Sequence, residues 1–180
     1  MVPGARLRLI SPLVDRPGLD TELLELWVGV TRAGGAVGFV VGSPVELVEA
    51  AAAATMADVR DGRLHGVGLE QDRRLVGVGF LAAQSAPVCA HRATVVRLMV
   101  DPDLQRGGHG SRLLAGLVDR ARGLGFTILL LGARGGTGAA EFYERNGWTE
   151  CGRVARSLRV DRPDGGVDWR DDISFVLRLG

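Results

Sequence analysis

Apolar and polar positions along the chain change period several times, and each change marks an element. Residues 5–10 (ARLRLI) alternate and predict a first strand. Over residues 19–31, Leu23, Leu24, Trp27 and Val30 share one helical face, and the stretch Gly34–Gly38 (GGAVG) breaks that helix. A second helix follows, with Ser43 as cap, Pro44 at the first helical position and Glu46 completing a capping box; its alanine-rich body reaches about Asp61–Gly62. Residues 64–69 and 74–84 predict two strands around the polar turn Glu70-Gln71-Asp72-Arg73. Residues 93–100 (ATVVRLMV) form a β-rich run ended by Asp101-Pro102. From Gly110 to Leu124 a stripe of Leu113, Leu114, Leu117, Val118 and Ala121 predicts a helix that Gly125 stops. Residues 126–131 (FTILLL) read as a strand buried on both faces. A short helix over 139–146 ends at Asn146-Gly147, and strands 148–160 and 169–179 flank Pro163-Asp164-Gly165-Gly166. The order β-α-α-β-β-β-α-β-α-β-β predicts an α/β fold: an antiparallel meander, then a βαβ crossover, in a mixed sheet with helices on both faces.

Composition narrows the picture. A chain of 180 residues without internal repeats or a low-complexity linker suits one domain, 1–180, and 46% hydrophobic residues supply a full core. The 22 basic and 21 acidic residues nearly cancel, which argues against nucleic acid or a membrane surface as partner. Every basic residue is an arginine, so Schiff-base lysine catalysis and a Walker-type phosphate loop are excluded. Cys89 and Cys151 make no disulfide framework, and the opening MVPGARLRLIS has no long apolar run; both lead to the expectation of a reducing cytoplasm.

The most informative segment is VVRLMVDPDLQRGGHGSRLL (95–114). A strand ends at Val100, a glycine-rich loop follows, and an amphipathic helix begins at once. Glycines let backbone approach a ligand closely, and the first helical turn presents unpaired N–H groups at the positive end of the helix dipole. Together these features make a pyrophosphate cradle, with Arg106 adding a formal charge. A dinucleotide fingerprint would need a glycine where Leu113 stands. From spacing alone, a bland glycine-rich strand–helix turn is an equal reading.

Two motifs decide between these readings. Strand, Val-x-Pro, Gln105-Arg106-Gly107-Gly108-His109-Gly110 and helix resembles the acetyl-CoA-binding motif of the GNAT superfamily, with Gln105, Gly108 and Gly110 in its fixed positions. AAEFYERNGW (139–148) resembles the superfamily's following helix, with Tyr143 at its tyrosine and Gly147-Trp148 at its glycine–aromatic pair. The resemblance implies a single GNAT-type domain with a mixed seven-stranded sheet, about four flanking helices, and strands 93–100 and 126–131 splayed apart. It implies acetyl-CoA as co-substrate and no metal. Leu98, Met99 and Val100 would pair with the pantetheine arm, and Gln105, Arg106, Gly107, Gly108, His109, Gly110 and Ser111 would surround the pyrophosphate. A free N–H near Met99 or Val100 would polarise the thioester carbonyl. GGAVGF (34–39), RLMV (97–100), FYERNGW and the Pro163-Asp164-Gly165 turn look more narrowly like tabtoxin-resistance acetyltransferases. The chain departs from those relatives at Thr94 and Gly132-Ala133, and from the superfamily at Gly136.

Acyl transfer to an amine needs a general acid for the leaving thiolate and an outlet for the amine's proton. Tyr143, the sole tyrosine and at the motif position, is the expected acid, and it also counts among the cofactor contacts. For the base, His91, Glu46, Glu141 and a water chain stay open. Trp27 and Phe39 are candidates for the wall of an acceptor pocket, and Trp27 equally fits a core role. The expected acceptor is a small primary amine. Alternatives are a protein or peptide N-acetyltransferase, or a catalytically degenerate acyl-CoA-binding module. A homodimer is left open.

Overall fold

The computed structural model describes residues 7–180; Ala5 and Arg6 of the first expected strand lie outside the described residues. Seven strands form one sheet: β1 (Leu7–Ile10), β2 (Leu64–Gln71), β3 (Arg74–Ala83), β4 (Arg92–Val100), β5 (Ile128–Arg134), β6 (Thr149–Asp161) and β7 (Val167–Arg178). Four α-helices accompany them: α1 (Leu19–Arg32), α2 (Val45–Arg60), α3 (His109–Gly123) and α4 (Ala139–Arg145). The strand order is β1-β2-β3-β4-β5-β7-β6. All neighbours are antiparallel except β4 and β5. The expected element order, mixed sheet and helix count are all present.

Each face of the sheet carries its own core. α1 and α2 bury Leu19, Leu23, Trp27, Val30, Val48 and Met56 against Val78, Phe80 and Met99. α3 and α4 cover the opposite face, where Leu113, Leu114 and Leu117 share a core with Leu81, Ala93, Val95 and Leu129, and Trp148 and Phe175 both pack on Tyr143. α3 fits closely because its Gly116 leaves room for Leu9 and Val67, the nearest Leu9 carbon lying only 2.7 Å from where a Cβ would stand.

Several boundaries shift by one or two residues from expectation, and three of the differences have a local reason. The capping box does not form. Ser43 Oγ instead accepts from the Val40 N–H at 3.1 Å, Pro44 takes the cap position, and the helix starts at Val45. The apolar run 126–131 enters the sheet two residues late because the end of α3 occupies Phe126. Gly125 adopts φ +83°, the Phe126 N–H reaches back to Ala121 O at 3.0 Å and the Gly125 N–H to Arg122 O at 3.0 Å, a Schellman closure. Thr127 then pairs with His91 O, and the ladder begins at Ile128. The turn between β2 and β3 is only two residues long, Asp72 (φ 50°) and Arg73 (φ 68°). Glu70 therefore belongs to β2; it is buried and accepts from Arg8 at 3.2 Å and Arg16 at 3.1 Å.

β4 is the strand that shapes the centre of the molecule. Phe80 pairs with Val96 and Val78 with Met99, so Gly79 faces two residues, Arg97 and Leu98. This β-bulge places Arg97 at φ 54°, in the left-handed region. The extra residue shifts the side-chain alternation. Ala93 and Val95 before the bulge, and Leu98 and Val100 after it, all face the α3 side, while Val96 and Met99 face the α1 side. β4 pairs with β5 only from Arg92 to Thr94, and beyond that point the two strands separate.

Candidate active site

The gap opened by that separation is a cavity of about 350 Å³. Its wall comes from every layer of the fold: Trp27 of α1 and Ala51 of α2, the loop Ala36–Phe39, Thr94–Leu98 of β4, Gly132 of β5 and Tyr143 of α4. Because Trp27 packs in the core on one face of the sheet and Tyr143 in the core on the other, the cavity runs through the sheet between β4 and β5.

On the α3 side, the gap ends at the glycine-rich loop. Gln105 Nε2 donates to Val100 O at 3.1 Å and ties the loop to the end of β4. Arg106 (φ 65°) and Gly108 (φ 78°) both take left-handed conformations that turn the chain sharply into α3. The first helical bond at this end is Arg112 N–H to Gly108 O at 3.1 Å, which leaves the N–H groups of His109, Gly110 and Ser111 directed out of the helix start. The His109 ring turns back over Gly107, its Nε2 2.8 Å from where a Cβ on that glycine would sit. Arg106, Gly107 and Gly108 are exposed.

The ladder also decides which peptide groups of β4 face the gap. Asp101 N–H pairs with Val76 O at 2.8 Å, so in antiparallel alternation Met99 pairs toward β3 and Val100 turns the other way. The Gln105 contact on Val100 O agrees with this orientation. Of the two peptide N–H groups left open by the sequence, that of Val100 lies on the gap edge and that of Met99 on the β3 edge. Side-chain burial follows the same division, with Met99 fully inside the α1-side core.

Tyr143 is packed by three aromatic rings, Phe142 at 5.1 Å, Phe175 at 5.7 Å and Trp148 at 6.0 Å between centroids. None of the hydrogen bonds among the described residues involves its hydroxyl. Burial pushes its pKa up to about 12, so the group stays protonated at neutral pH.

At the α1 end of the cavity, Trp27 is both core and wall. It is 2% exposed, its Nε1 donates to Val37 O at 3.1 Å, and it meets Phe39 edge-on at 5.8 Å. The loop before α2 is held a second time by Arg134 Nη2, which donates to Gly34 O at 3.0 Å. Phe39 is half-buried on the cavity wall.

The structure thus brings Trp27, Phe39, Leu98 and Tyr143 to one cavity, while Val100 and the 105–111 loop lie beyond its wall, joined to each other at the end of β4. It does not bring the candidate bases there. Glu46 is exposed at the start of α2, Glu141 is exposed on α4 and His91 is exposed just before β4. Nine lining residues were not read from the sequence as site residues, Arg97 and Gly132 among them. Arg97, a charge inside an apolar strand, was a visible signal; Gly132 was visible only as a departure from relatives. The carboxylate of Asp172, on the neighbouring strand β7, has its Oδ1 3.8 Å from where a Cβ on Gly132 would stand.

Comparisons with known proteins agree with this architecture. A Salmonella typhimurium protein described as an acetyltransferase, solved with its cofactor acetyl-CoA, superposes with TM-score 0.72 at 17% identity, covering 97% of this chain and 94% of that one. The ribosomal-protein-alanine N-acetyltransferase of Brucella melitensis superposes with TM-score 0.75 at 18% identity, covering 96% and 99%. At these identities the likeness is one of fold. In sequence, 61 residues are 41% identical to the amino-acid acetyltransferase of Neisseria meningitidis serogroup A (strain Z2491), 34% of this chain but 13% of that protein, so the match spans a small part of that relative's length. The sequence profile of the acetyltransferase (GNAT) family matches residues 43–148, from the start of α2 through the glycine-rich loop to Trp148, and the chain belongs to that family of acetyl-CoA-dependent transferases.

Proposed function

We propose that the chain, as one domain over residues 1–180, moves the acetyl group of acetyl-CoA directly onto the primary amine of a small molecule. The observation that carries this reading is the cavity through the sheet. At about 350 Å³ it lies at the small end of ligand-sized pockets, and Trp27 and Phe39 close its α1 end. The narrower likeness to tabtoxin-resistance acetyltransferases, which act on a small amine, points the same way through GGAVGF, the segment that supplies Phe39.

The residues present fit acetyl-CoA on physical grounds. Three outward N–H groups at the start of α3, backed by the helix dipole and the Arg106 charge, suit a pyrophosphate. The open edge of β4 offers the peptide groups of Leu98–Val100 to an extended amide chain, as an added strand would use them. Bound there, acetyl-CoA supplies an activated acyl group as a thioester. The Val100 N–H, on the gap edge, is the donor placed to stabilise charge on the acyl oxygen. The Tyr143 hydroxyl gives its proton to the departing sulfur. With His91, Glu46 and Glu141 outside the cavity, the amine's proton leaves through water at the cavity mouth. Cytoplasmic location fits a cofactor found there.

The test is a screen of thiol release from acetyl-CoA against amino acids, polyamines, amine antibiotics and peptides. Turnover with one or more small amines supports the reading. Acetylation of peptides or proteins alone would replace it with the protein-directed alternative, and acetyl-CoA binding without any turnover with the degenerate binding module.

A further inference from the structure

Among the described residues, Arg97 is the one charged residue on the cavity wall. It stands at the bulge of β4 with φ 54°, a left-handed conformation that an arginine rarely adopts and that persists only when the surroundings impose it. Its guanidinium lies over the Trp27 ring, 5.3 Å from the centroid. A cation–π contact spends none of the group's N–H donors on a hydrogen bond. Among the described residues Arg97 has no hydrogen-bond or ion-pair partner, although fifteen ion pairs tie up arginines elsewhere on the surface. Asp58 of α2 is close enough to favour its charge but is engaged by Arg63 at 2.7 Å. Burial works against the charged form. A half-buried guanidinium with open donors is costly unless something fills them.

The other lining residues are apolar or neutral, and no carboxylate among the described residues lines the cavity, so a polycationic acceptor finds no counter-charge from them inside it. Asp172 lies by Gly132 and is not part of the cavity wall, and no hydrogen bond or ion pair among the described residues joins it to Arg97.

We infer that the acceptor is an amine that also carries a carboxylate, an amino acid or a close analogue, and that Arg97 binds that carboxylate within the cavity. The inference rests on the small-amine reading above and sharpens it. A planar guanidinium matches a carboxylate with two parallel N–H···O bonds, and the contact with Trp27 holds the group at the cavity wall. The amine then lies on the Gly132–Tyr143 side of the same cavity, toward the gap where β4 and β5 part.

The test uses matched pairs of amines that differ only in this group: amino acids, their carboxamides and the corresponding amines lacking the group. Wild-type kcat/KM is expected to favour the carboxylates by about 10–100-fold, the usual effect of a charged hydrogen-bonding partner in a site built for it. Arg97→Gln, which keeps a polar stem able to adopt the bulge, should erase that preference through KM for the amine and leave the KM for acetyl-CoA unchanged. Acetyl-CoA affinity by calorimetry checks that the variant is folded. Should Arg97→Gln not fold, the wild-type matched-pair ratios and competitive inhibition by simple carboxylates against the amine still decide the matter. Turnover of small amines with no preference for the carboxylate overturns this inference and leaves the small-amine reading standing. Acetylation of proteins alone, or no turnover with any small amine, overturns both.

Discussion

Replacing Tyr143 by phenylalanine removes a single oxygen from the centre of the site. The ring keeps its contacts with Phe142, Trp148 and Phe175, at 5.1, 6.0 and 5.7 Å. The lost hydroxyl has no hydrogen-bond partner among the described residues, so stability should change by less than about 1 kcal/mol. Tyr143→Ala, by contrast, empties an aromatic cluster and should cost about 3–5 kcal/mol. If the hydroxyl protonates the departing sulfur, Tyr143→Phe lowers the chemical step by about 10²–10⁴-fold. Single-turnover thiol release at saturating amine isolates that step from product release, and calorimetry checks that acetyl-CoA still binds. The pH profile supplies an independent check. Burial pushes the phenol up to about 12, so it holds its proton across the usual assay range and wild-type turnover should show no alkaline decline from this group below that value. A phenylalanine variant turning over within about threefold of wild type would refute the assignment, since a positioned acid is worth far more than that.

Other perturbations address the remaining parts. Gly108→Val should weaken acetyl-CoA at least about tenfold by calorimetry; Gly108 sits at φ +78°, so Gly108→Asn, which tolerates that conformation, should keep the fold and lose less. Unchanged affinity in the valine variant would defeat the phosphate-loop role. Phe39→Ala removes one side of the edge-on pair with Trp27 and should raise KM for the amine while sparing that for acetyl-CoA; equal effects on both would dismiss Phe39 as acceptor wall. Glu22 accepts two bonds from Arg16, at 2.7 and 2.8 Å, and one from the Leu75 N–H at 2.8 Å, and the guanidinium, followed by that N–H, holds its carboxyl below the usual range. A depressed carboxyl stabilises the fold above the ordinary glutamate pKa and loses that contribution as pH falls through the lowered value. Glu22→Gln should therefore cost about 1–3 kcal/mol in urea titrations at pH 7, with the gap to wild type closing toward pH 3.

The fold was legible where periodicity is a local property. The stripes of α1 and α3, the Gly125 stop and the apolar runs of β3 and β5 are set by which side chains must face a core, and side-chain spacing shows that directly. What stayed hidden depends on partners distant in sequence. ATVVRLMV has the same composition with or without a bulge. The bulge is possible because the residue opposite is Gly79, where a Cβ would come within 2.7 Å of Leu117 and 3.1 Å of Leu98. Ser43 has the composition of a helix cap, yet the Val40 N–H captures its hydroxyl. The start of β5 moved because the closure of α3 took Phe126 first. The loop motif and Tyr143 could be named from their resemblance to a family, and Trp27 and Phe39 were candidates for a pocket wall; the rest of the cavity was hidden, because α1, α2, β4, β5, α4 and the loop 36–39 meet there only in the folded chain.

The bulge links these separate observations. One inserted residue in β4 changes which residues of the strand point to which side, and it acts on both halves of the site at once. On the α3 side it carries Leu98 and Val100 into register with the core beneath the glycine-rich loop and turns the Val100 peptide edge toward the gap. On the α1 side it leaves Arg97 following Val96, so that a guanidinium lies against Trp27 where an uninterrupted alternation would have turned position 97 toward α3 with Ala93 and Val95. It also falls just past Thr94, where pairing with β5 ends. The proposed donor to the acyl oxygen and the proposed carboxylate ligand are thus fixed by the same irregularity, three residues apart on one rigid strand. Such an arrangement sets the distance between the bound carboxylate and the acyl carbon by strand geometry rather than by a mobile loop, and an acceptor whose amine and carboxylate are separated by a few bonds is the kind of molecule that distance selects.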